Sequence, residues 1–568
     1  MHASTESHVA AADNLFAEIA AVAARDPDRL ATVGFGGRGN RYTYHDVIAR
    51  ARSLADHLNG DTYRDREYIG LLSENRPEWS ICYLAIVAAG KTVVPIDANL
   101  KPSEVAAIVA HARLECVIAS ARCDTLLDAV QNALTIIPLD QPASRVDESP
   151  HSYDETFAVL SADRQHESHE PGNNSDVAAL IYTSGTTGTP KAVMLTHTNL
   201  VSNVKQAIAS LHFSHEDVFL SVLPLHHTFE ATCGFMAAMM VGATIVYARS
   251  LKSKDILEDI GANGVTVMCG VPLLYEKMYQ SIQRKLESAP AHRRILFQTL
   301  YQTSKIAWRL NRRAGVTLFA SVRRRAGLGT VRMFVSGGAA LPPQIAEFFN
   351  LIGFTFLQGY GMTECSPVIS VNRPEDIEFG SVGPPLRDVE VRINQPDASG
   401  VGEIIVRGPN TTPGYKDNPE ATAALLRDGW LFTGDLGRID ARGHLWITGR
   451  AKNVIISAAG KNIYPEELEE RLVLTPSIVE AVVFGRKKSG KQGEEVRAVV
   501  VPDMEYFTTV HGVNADSPDH EKIRGIIDAD ISRVNSQVAD YKRISGYEIQ
   551  FEELQKTSTK KIKRFLYH

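Results

Sequence analysis

The residues of this chain best suited to chemistry lie in the run Tyr182-Thr-Ser-Gly-Thr-Thr-Gly-Thr-Pro-Lys191. From Thr183 through Ser184, Gly185, Thr186 and Thr187 to Gly188, every residue is a hydroxyl or a glycine. Such a run bares backbone N–H groups and hydroxyl donors along a tight curve, the arrangement that cradles phosphate oxygens. Lys191 adds a mobile positive charge. Gly185 and Gly188 are three apart and Pro190 precedes the lysine, so the spacing of a Walker loop is not met. The plain alternative is a polar surface turn between two strands, because the apolar run Val177–Tyr182 enters the loop and Ala192–Leu195 leaves it.

Four further stretches carry candidate groups. Val335-Ser-Gly-Gly-Ala339 and Phe356-Leu-Gln-Gly-Tyr-Gly-Met-Thr-Glu-Cys365 each read as a strand ending in a glycine-rich turn. Open α/β sheets place ligands at such strand ends. Tyr360 offers a stacking face there, and Glu364 is a carboxylate suited to a hard cation. In Gly429-Trp-Leu-Phe-Thr-Gly-Asp435 the terminal carboxylate can accept from two hydroxyls at once. Leu223-Pro-Leu-His-His-Thr-Phe-Glu230 sets two histidines in an apolar context, where they serve either as packing residues or as ligands.

Taken together, these motifs closely resemble the AMP-forming adenylating superfamily: acyl-CoA synthetases, luciferases and the adenylation domains of peptide synthetases. The likeness extends from about Tyr42 to the C-terminus and is nearest to bacterial long-chain fatty acyl-CoA synthetases. It implies that Thr183–Gly188 and Lys191 hold phosphates and that Gly337, Gly338, Gly359, Tyr360 and Gly361 flank adenine. Thr363 would contact the α-phosphate, Glu364 would serve Mg²⁺, Asp435 would meet the ribose hydroxyls, and Arg450 would add a ribose or phosphate contact. His227 matches a residue gating the acyl pocket, and the small residues from Ala231 to Ala238 would border an acyl tunnel. Lys452 matches the hinge, Gly460 lies in the segment that meets CoA, and Lys561 matches the lysine of the adenylation step. The implied reaction activates a fatty acid with ATP to acyl-AMP and transfers it to CoA. Loading of an acyl carrier protein, or activation of another carboxylic acid, stands as the alternative. An amino-acid adenylation domain fits less well, and a silent nucleotide-binding scaffold would not keep Lys191, Glu364, Asp435, Arg450 and Lys561 together.

The elements that must position these groups are those of an α/β protein. At 568 residues the chain exceeds one core. The expected organisation is a large N-terminal domain of α/β sheets over 1–449 and a smaller, mobile α+β domain over 450–568. Tyr68–Leu72, Lys91–Pro95 and Glu115–Ile118 read as strands, with a helix after Pro77. Gly34-Phe-Gly-Gly-Arg-Gly39 matches a dinucleotide fingerprint, but a hairpin return and a helix capped by Thr43 follow it, so it reads as a turn. The uncharged run 231–248 reads as a buried helix, a glycine stop and a buried strand rather than a membrane span.

Composition narrows the function classes. A net charge of −6 offers nothing for nucleic acid. The six cysteines form no CxxC pair and read as reduced residues of a cytoplasmic protein, and the polar start of the chain lacks a signal peptide's apolar segment. Residues 277–325 stand apart, with twelve Lys and Arg against the single acid Glu287, a net +11. Interleaved Ile, Leu, Phe and Trp make the segment a candidate for peripheral contact with an anionic membrane at its inner face, or with an acyl carrier protein. A solvated, salt-bridged helical face is the plain alternative.

Overall fold

A computed structural model describes residues 14–34, 40–140, 173–183, 191–487, 493–514, 517–556 and 562–567. The fold is mixed α/β, and the chain packs as two compact units. The first holds the residues up to Met268 with Met362–Val368 and Gly408–Ala423; the second holds Cys269–Gly361, Ile369–Arg407 and the chain from Ala424 on.

The first unit is built on a seven-stranded sheet. Its order is Gly414–Tyr415, Lys191–Thr196, Val177–Thr183, Thr92–Ile96, Tyr68–Leu72, Cys116–Ala119 and Thr135–Pro138. The last five of these pair in parallel. A parallel strand is covered on both faces, and this is why Thr92–Ile96 and Cys116–Ala119 are wholly buried and, apart from Thr92, apolar. The helix Pro77–Ala88 is apolar on every side and buried along nearly its whole length, with Pro77 at its first turn. A second group of strands runs Val218–Ser221, Thr244–Tyr247 and Leu30–Val33 in parallel. Arg41–Thr43 closes its edge antiparallel to Leu30–Val33, and the Gly34 N–H donates to the Asn40 carbonyl at 2.9 Å. The flanks of the glycine fingerprint therefore form a hairpin, as expected; residues 35–39 lie outside the described residues. Thr43 caps the helix Tyr44–Leu58 through a capping box with Asp46.

The second unit contains the parallel pair Met333–Ser336 and Thr355–Gly361, in register Ser336 with Gln358. Beneath it Tyr275, Phe334, Phe349 and Phe356 interlock, with the Tyr275 and Phe356 rings 4.8 Å apart and edge-on. An antiparallel sheet orders Glu390–Asn394, Gly402–Arg407, Trp430–Ile439 and Leu426–Arg427, with Leu445–Arg450 paired to Trp430–Ile439. Farther along, Ile478–Lys487, Glu494–Pro502 and Gly546–Ile549 form a three-stranded sheet. Helices Pro465–Val473 and His520–Ser536 cover it, and one core cluster runs from Ile455 to Ile544.

The uncharged run after Glu230 has the expected order, with one addition. Glu230–Met236 is a π-helical turn, Ala237–Val241 continues as α-helix, Gly242 stops it at φ 81°, and Thr244–Tyr247 is a buried strand. No helix among the described residues is long and apolar enough to cross a membrane. The π-turn carries Glu230 into the core, where it is fully buried and neither carboxyl oxygen closes a hydrogen bond. Burial pushes its pKa up to about 8, and the nearby Ser221 hydroxyl and Leu223 amide only partly oppose this. The carboxyl therefore holds its proton in the folded chain at pH values where the unfolded chain has lost it. Its contribution to stability is complete below about pH 4.5 and is lost as pH rises toward about 8. Glu230→Gln cannot ionise, so its melting temperature should gain on that of the parent between pH 5 and pH 8. The gain is bounded by roughly 5 kcal/mol for the whole shift. Thermal melts at both pH values check this, and a constant difference would refute the assignment.

Candidate active site

The groups singled out in the sequence fall into two clusters, one in each unit. In the first unit, Val177–Thr183 and Lys191–Thr196 pair antiparallel with Thr183 opposite Lys191. The two described ends of the phosphate loop are thereby brought together; Ser184, Gly185, Thr186, Thr187 and Gly188 lie outside the described residues. The Lys191 Nζ stands 5.0 Å from the centroid of the Tyr415 ring, within cation–π range. Tyr415 is placed there because its short strand pairs with Lys191–Thr196, Tyr415 opposite Val193. Its hydroxyl donates to Glu364 Oε1 at 2.7 Å. Glu364 is only 8% exposed, and its carbonyl accepts from the Thr412 N–H at 2.9 Å. Backbone and side chain of Glu364 are thus both tied to the 412–415 segment. Burial, then the Glu364 charge, raises the Tyr415 hydroxyl well above its ordinary pKa, so it remains a donor.

Thr363 begins the short turn that carries Glu364, and its hydroxyl lies 3.5 Å from that of Thr228. The two neighbouring histidines differ. His226 has Nε2 3.4 Å from Asp97 Oδ2, and burial lowers its pKa below the usual value. His227 is part-exposed, with its ring 4.6 Å from that of His226. A polar cavity of about 260 Å³ lies beside His226, lined in part by Glu74, Asn75, Asp97 and Ser221. Ala231, Thr232, Gly234, Ala237 and Ala238 are all buried. The space a side chain at Gly234 would need is taken by the Glu230 carboxyl, 2.5 Å from the position of a Cβ.

In the second unit, the glycine turns sit at the carboxyl ends of two adjacent parallel strands, as the motif pattern requires. The Gly337 N–H donates to the Gly270 carbonyl at 3.1 Å, and Gly338 takes φ 88°, which favours glycine. Gly359, Tyr360 and Gly361 end the neighbouring strand. The Tyr360 hydroxyl donates to Asp435 Oδ2 at 2.7 Å, and Arg450 Nε donates to Oδ1 at 2.6 Å. Sheet register makes this pairing, because Asp435 lies directly opposite Arg450. Asp435 is 6% exposed, and its N–H donates to the Thr433 hydroxyl at 3.0 Å. Each carboxylate oxygen keeps acceptor capacity for a further donor.

Lys452 follows in a short helical turn, its pKa lowered first by burial and then by Arg450. Gly460 adopts φ 71° in a tight turn closed by the Ser457 N–H to the Lys461 carbonyl at 3.0 Å. Lys561 lies outside the described residues. Its flanks meet, with Lys556 bridged to Ile562 and the Lys563 N–H donating to the Gln555 carbonyl at 2.8 Å.

Sequence reasoning missed Tyr415. The only available signal was Gly414-Tyr415 after Thr411-Thr412-Pro413, and a short turn sequence does not say which strand it joins. The metal expectation can be tested on the donor set. Among the described residues no group of three His, Cys, Asp or Glu side chains could cage an ion. A single oriented carboxylate suits Mg²⁺ all the same, since that ion keeps waters and phosphate oxygens in its shell. Glu364 fits that role.

Known proteins resolve what class of chemistry this arrangement belongs to. Residues 19–416 match the family described as AMP-binding enzyme. Long-chain-fatty-acid–CoA ligase FadD15 of Mycobacterium bovis is 33% identical over 434 residues, covering 74% of this chain and 71% of that protein. Feruloyl-CoA synthase of Amycolatopsis sp. is 31% identical over 471 residues, covering 82% and 84%. Among solved structures, ATP-bound MatB from Rhodopseudomonas palustris superposes with a TM-score of 0.75 at 26% identity, over 98% of both chains. The chain belongs to the AMP-binding enzyme family and is an AMP-forming acyl-CoA synthetase.

Proposed function

We propose that the enzyme activates a long-chain fatty acid with ATP to acyl-AMP and pyrophosphate, then passes the acyl group to CoA. The observation that carries this reading is the buried Glu364 carboxylate, tied to the Tyr415 hydroxyl beside Lys191. The first step brings anion onto anion: a carboxylate oxygen attacks the α-phosphorus, the bond to the bridging oxygen breaks, and pyrophosphate leaves. Alignment and charge neutralisation therefore dominate the barrier. Mg²⁺ held by Glu364 would supply charge neutralisation on the phosphate oxygens. Thr183–Gly188 and Lys191 hold the departing pyrophosphate, Thr363 contacts the α-phosphate, and Lys561 bridges the carboxylate and that phosphate. Gly337, Gly338 and the Gly359–Gly361 strand end flank adenine, where the bond from its hydroxyl to Asp435 fixes the Tyr360 ring. Asp435 and Arg450 meet the ribose hydroxyls. His227 gates the acyl end.

In the second step the thiol attacks the acyl carbon, AMP departs, and the thiol proton passes to solvent. Residues 450–568 act as a small domain that turns about Lys452 and brings Gly460 toward CoA. Their shared core from Ile455 to Ile544 supports that division. The enzyme works in the cytoplasm, in keeping with six cysteines that are all buried and outside any disulfide. The name of the M. bovis relative supports a long-chain acid. The feruloyl-CoA synthase supports a second reading, an aromatic acid, and a carrier protein is the alternative thiol.

Pyrophosphate release with Mg-ATP across octanoate, palmitate, oleate and ferulate, with and without CoA, separates these readings. Turnover on the long acids with acyl-CoA formed is expected, and preference for ferulate would overturn the substrate assignment. Lys561→Ala should lose adenylation by at least ~10²-fold yet largely spare thioester formation from supplied acyl-AMP. Equal loss in both half-reactions would refute its role. Tyr415→Phe removes the donor to Glu364, so the Mg²⁺ concentration for half-maximal adenylation should rise by roughly 10-fold while the thioester step is spared. An unchanged Mg²⁺ dependence would detach Tyr415 from that site.

A further inference from the structure

The helix Ala291–Arg309 turns an unusual face outward. Its inner side is settled by aromatic contacts: the Phe297 ring lies 5.2 Å from Phe319, Tyr301 6.0 Å from Phe348, and Trp308 5.4 Å from Phe379. At 3.6 residues per turn, Ile295, Leu296 and Ile306 must then point away from the unit. They are 65%, 59% and 60% exposed. Farther along the segment Leu310, Val316 and Val322 are also exposed, at 68%, 44% and 47%. Single exposed aliphatics are ordinary, but six within one short segment are not.

The charge on the same segment has two fates. Lys305 pairs with Glu347 at 2.9 Å and Arg284 with Glu505 at 2.9 Å, while Arg313 and Arg323 donate to carbonyls of Phe354 and Val316. These four fit the plain reading of a salt-bridged, structural surface. Arg293, Arg294, Arg309, Arg312, Arg324 and Arg325 are exposed and pair with no carboxylate among the described residues. Once the +11 of residues 277–325 is taken from the chain's −6, the rest carries −17. An anionic surface would therefore attract this segment more than the remainder of the chain.

We propose that residues 291–325 dock the enzyme on an anionic phospholipid bilayer, with helix Ala291–Arg309 lying in the interface plane. The arginines take headgroup phosphates and the outward aliphatics enter the acyl boundary. An acidic carrier protein would satisfy the charge, but three outward aliphatics on one helix, with three more exposed in the residues that follow, match a lipid boundary better. The inference stands apart from the substrate assignment, because its readout is binding and not turnover.

The test is co-sedimentation of the full chain with neutral phosphatidylcholine vesicles and with vesicles also containing phosphatidylglycerol, in low and high salt. Binding to the anionic vesicles alone is expected, weakened at least ~10-fold by high salt. The triple substitution Ile295→Ser, Leu296→Ser, Ile306→Ser should weaken low-salt binding by a further ~10-fold. A second variant, Arg309→Gln, Arg312→Gln, Arg324→Gln, should remove the salt-sensitive part. All six positions are exposed, so an unchanged melting temperature is expected for both variants. No binding of the parent to anionic vesicles in low salt would overturn the proposal, as would binding that neither variant alters. Retention of the parent on an immobilised acidic carrier protein without vesicle binding would overturn it in favour of that partner.

Discussion

A buried carboxylate must be given donors or it takes up a proton, and the candidate site rests on two carboxylates that are given donors. Glu364 receives the Tyr415 hydroxyl and Asp435 receives the Tyr360 hydroxyl, each at 2.7 Å. Removing an ionised carboxylate from water is costly, and a short hydrogen bond from a well-placed donor offsets part of that cost. In each case the tyrosine is delivered by a strand: Tyr415 by pairing with Lys191–Thr196, and Tyr360 by the end of Thr355–Gly361. The donors are therefore positioned by backbone register, which leaves little freedom for the carboxylates to wander. Preorganisation of this kind is what a reaction between anions requires.

Glu230 shows the other outcome within the same unit. It is fully buried, neither oxygen closes a hydrogen bond, and burial pushes its pKa up to about 8. Its carboxyl then behaves as a polar filler, occupying the space left by Gly234 one π-turn onward. This filling explains why the small residues of this stretch do not by themselves amount to an open channel, since one of the spaces they leave is already filled.

Electrostatics divides the molecule on a larger scale as well. A strongly acidic remainder and one basic, aliphatic-studded segment give the chain a polarity that its modest net charge conceals. Within that segment, the arginines that bond carbonyls fasten the helices down, while those left facing water are available to a partner. The two roles share one residue type and are separated only by what each side chain reaches.

The sequence alone carried much of this. Runs dominated by apolar residues marked the parallel strands, because burial on both faces leaves little room for polar side chains. Glycine and hydroxyl motifs marked the strand ends, because only those residues allow close backbone approach, and the charge of residues 277–325 was visible by counting. The tertiary structure decided the pairings. Register set Asp435 opposite Arg450 and joined Tyr415 to the Lys191 strand, though hundreds of residues separate some of these partners in the chain. Local spacing could not have assigned Tyr415 to Glu364, nor told the salt-bridged arginines from the outward ones. It also left His226 and His227 equivalent, until the fold set His226 beside Asp97 where burial lowers its pKa. Periodicity and composition report what each segment can bury. Which donor meets which acceptor depends on long-range contacts, and those exist only once the sheets have closed.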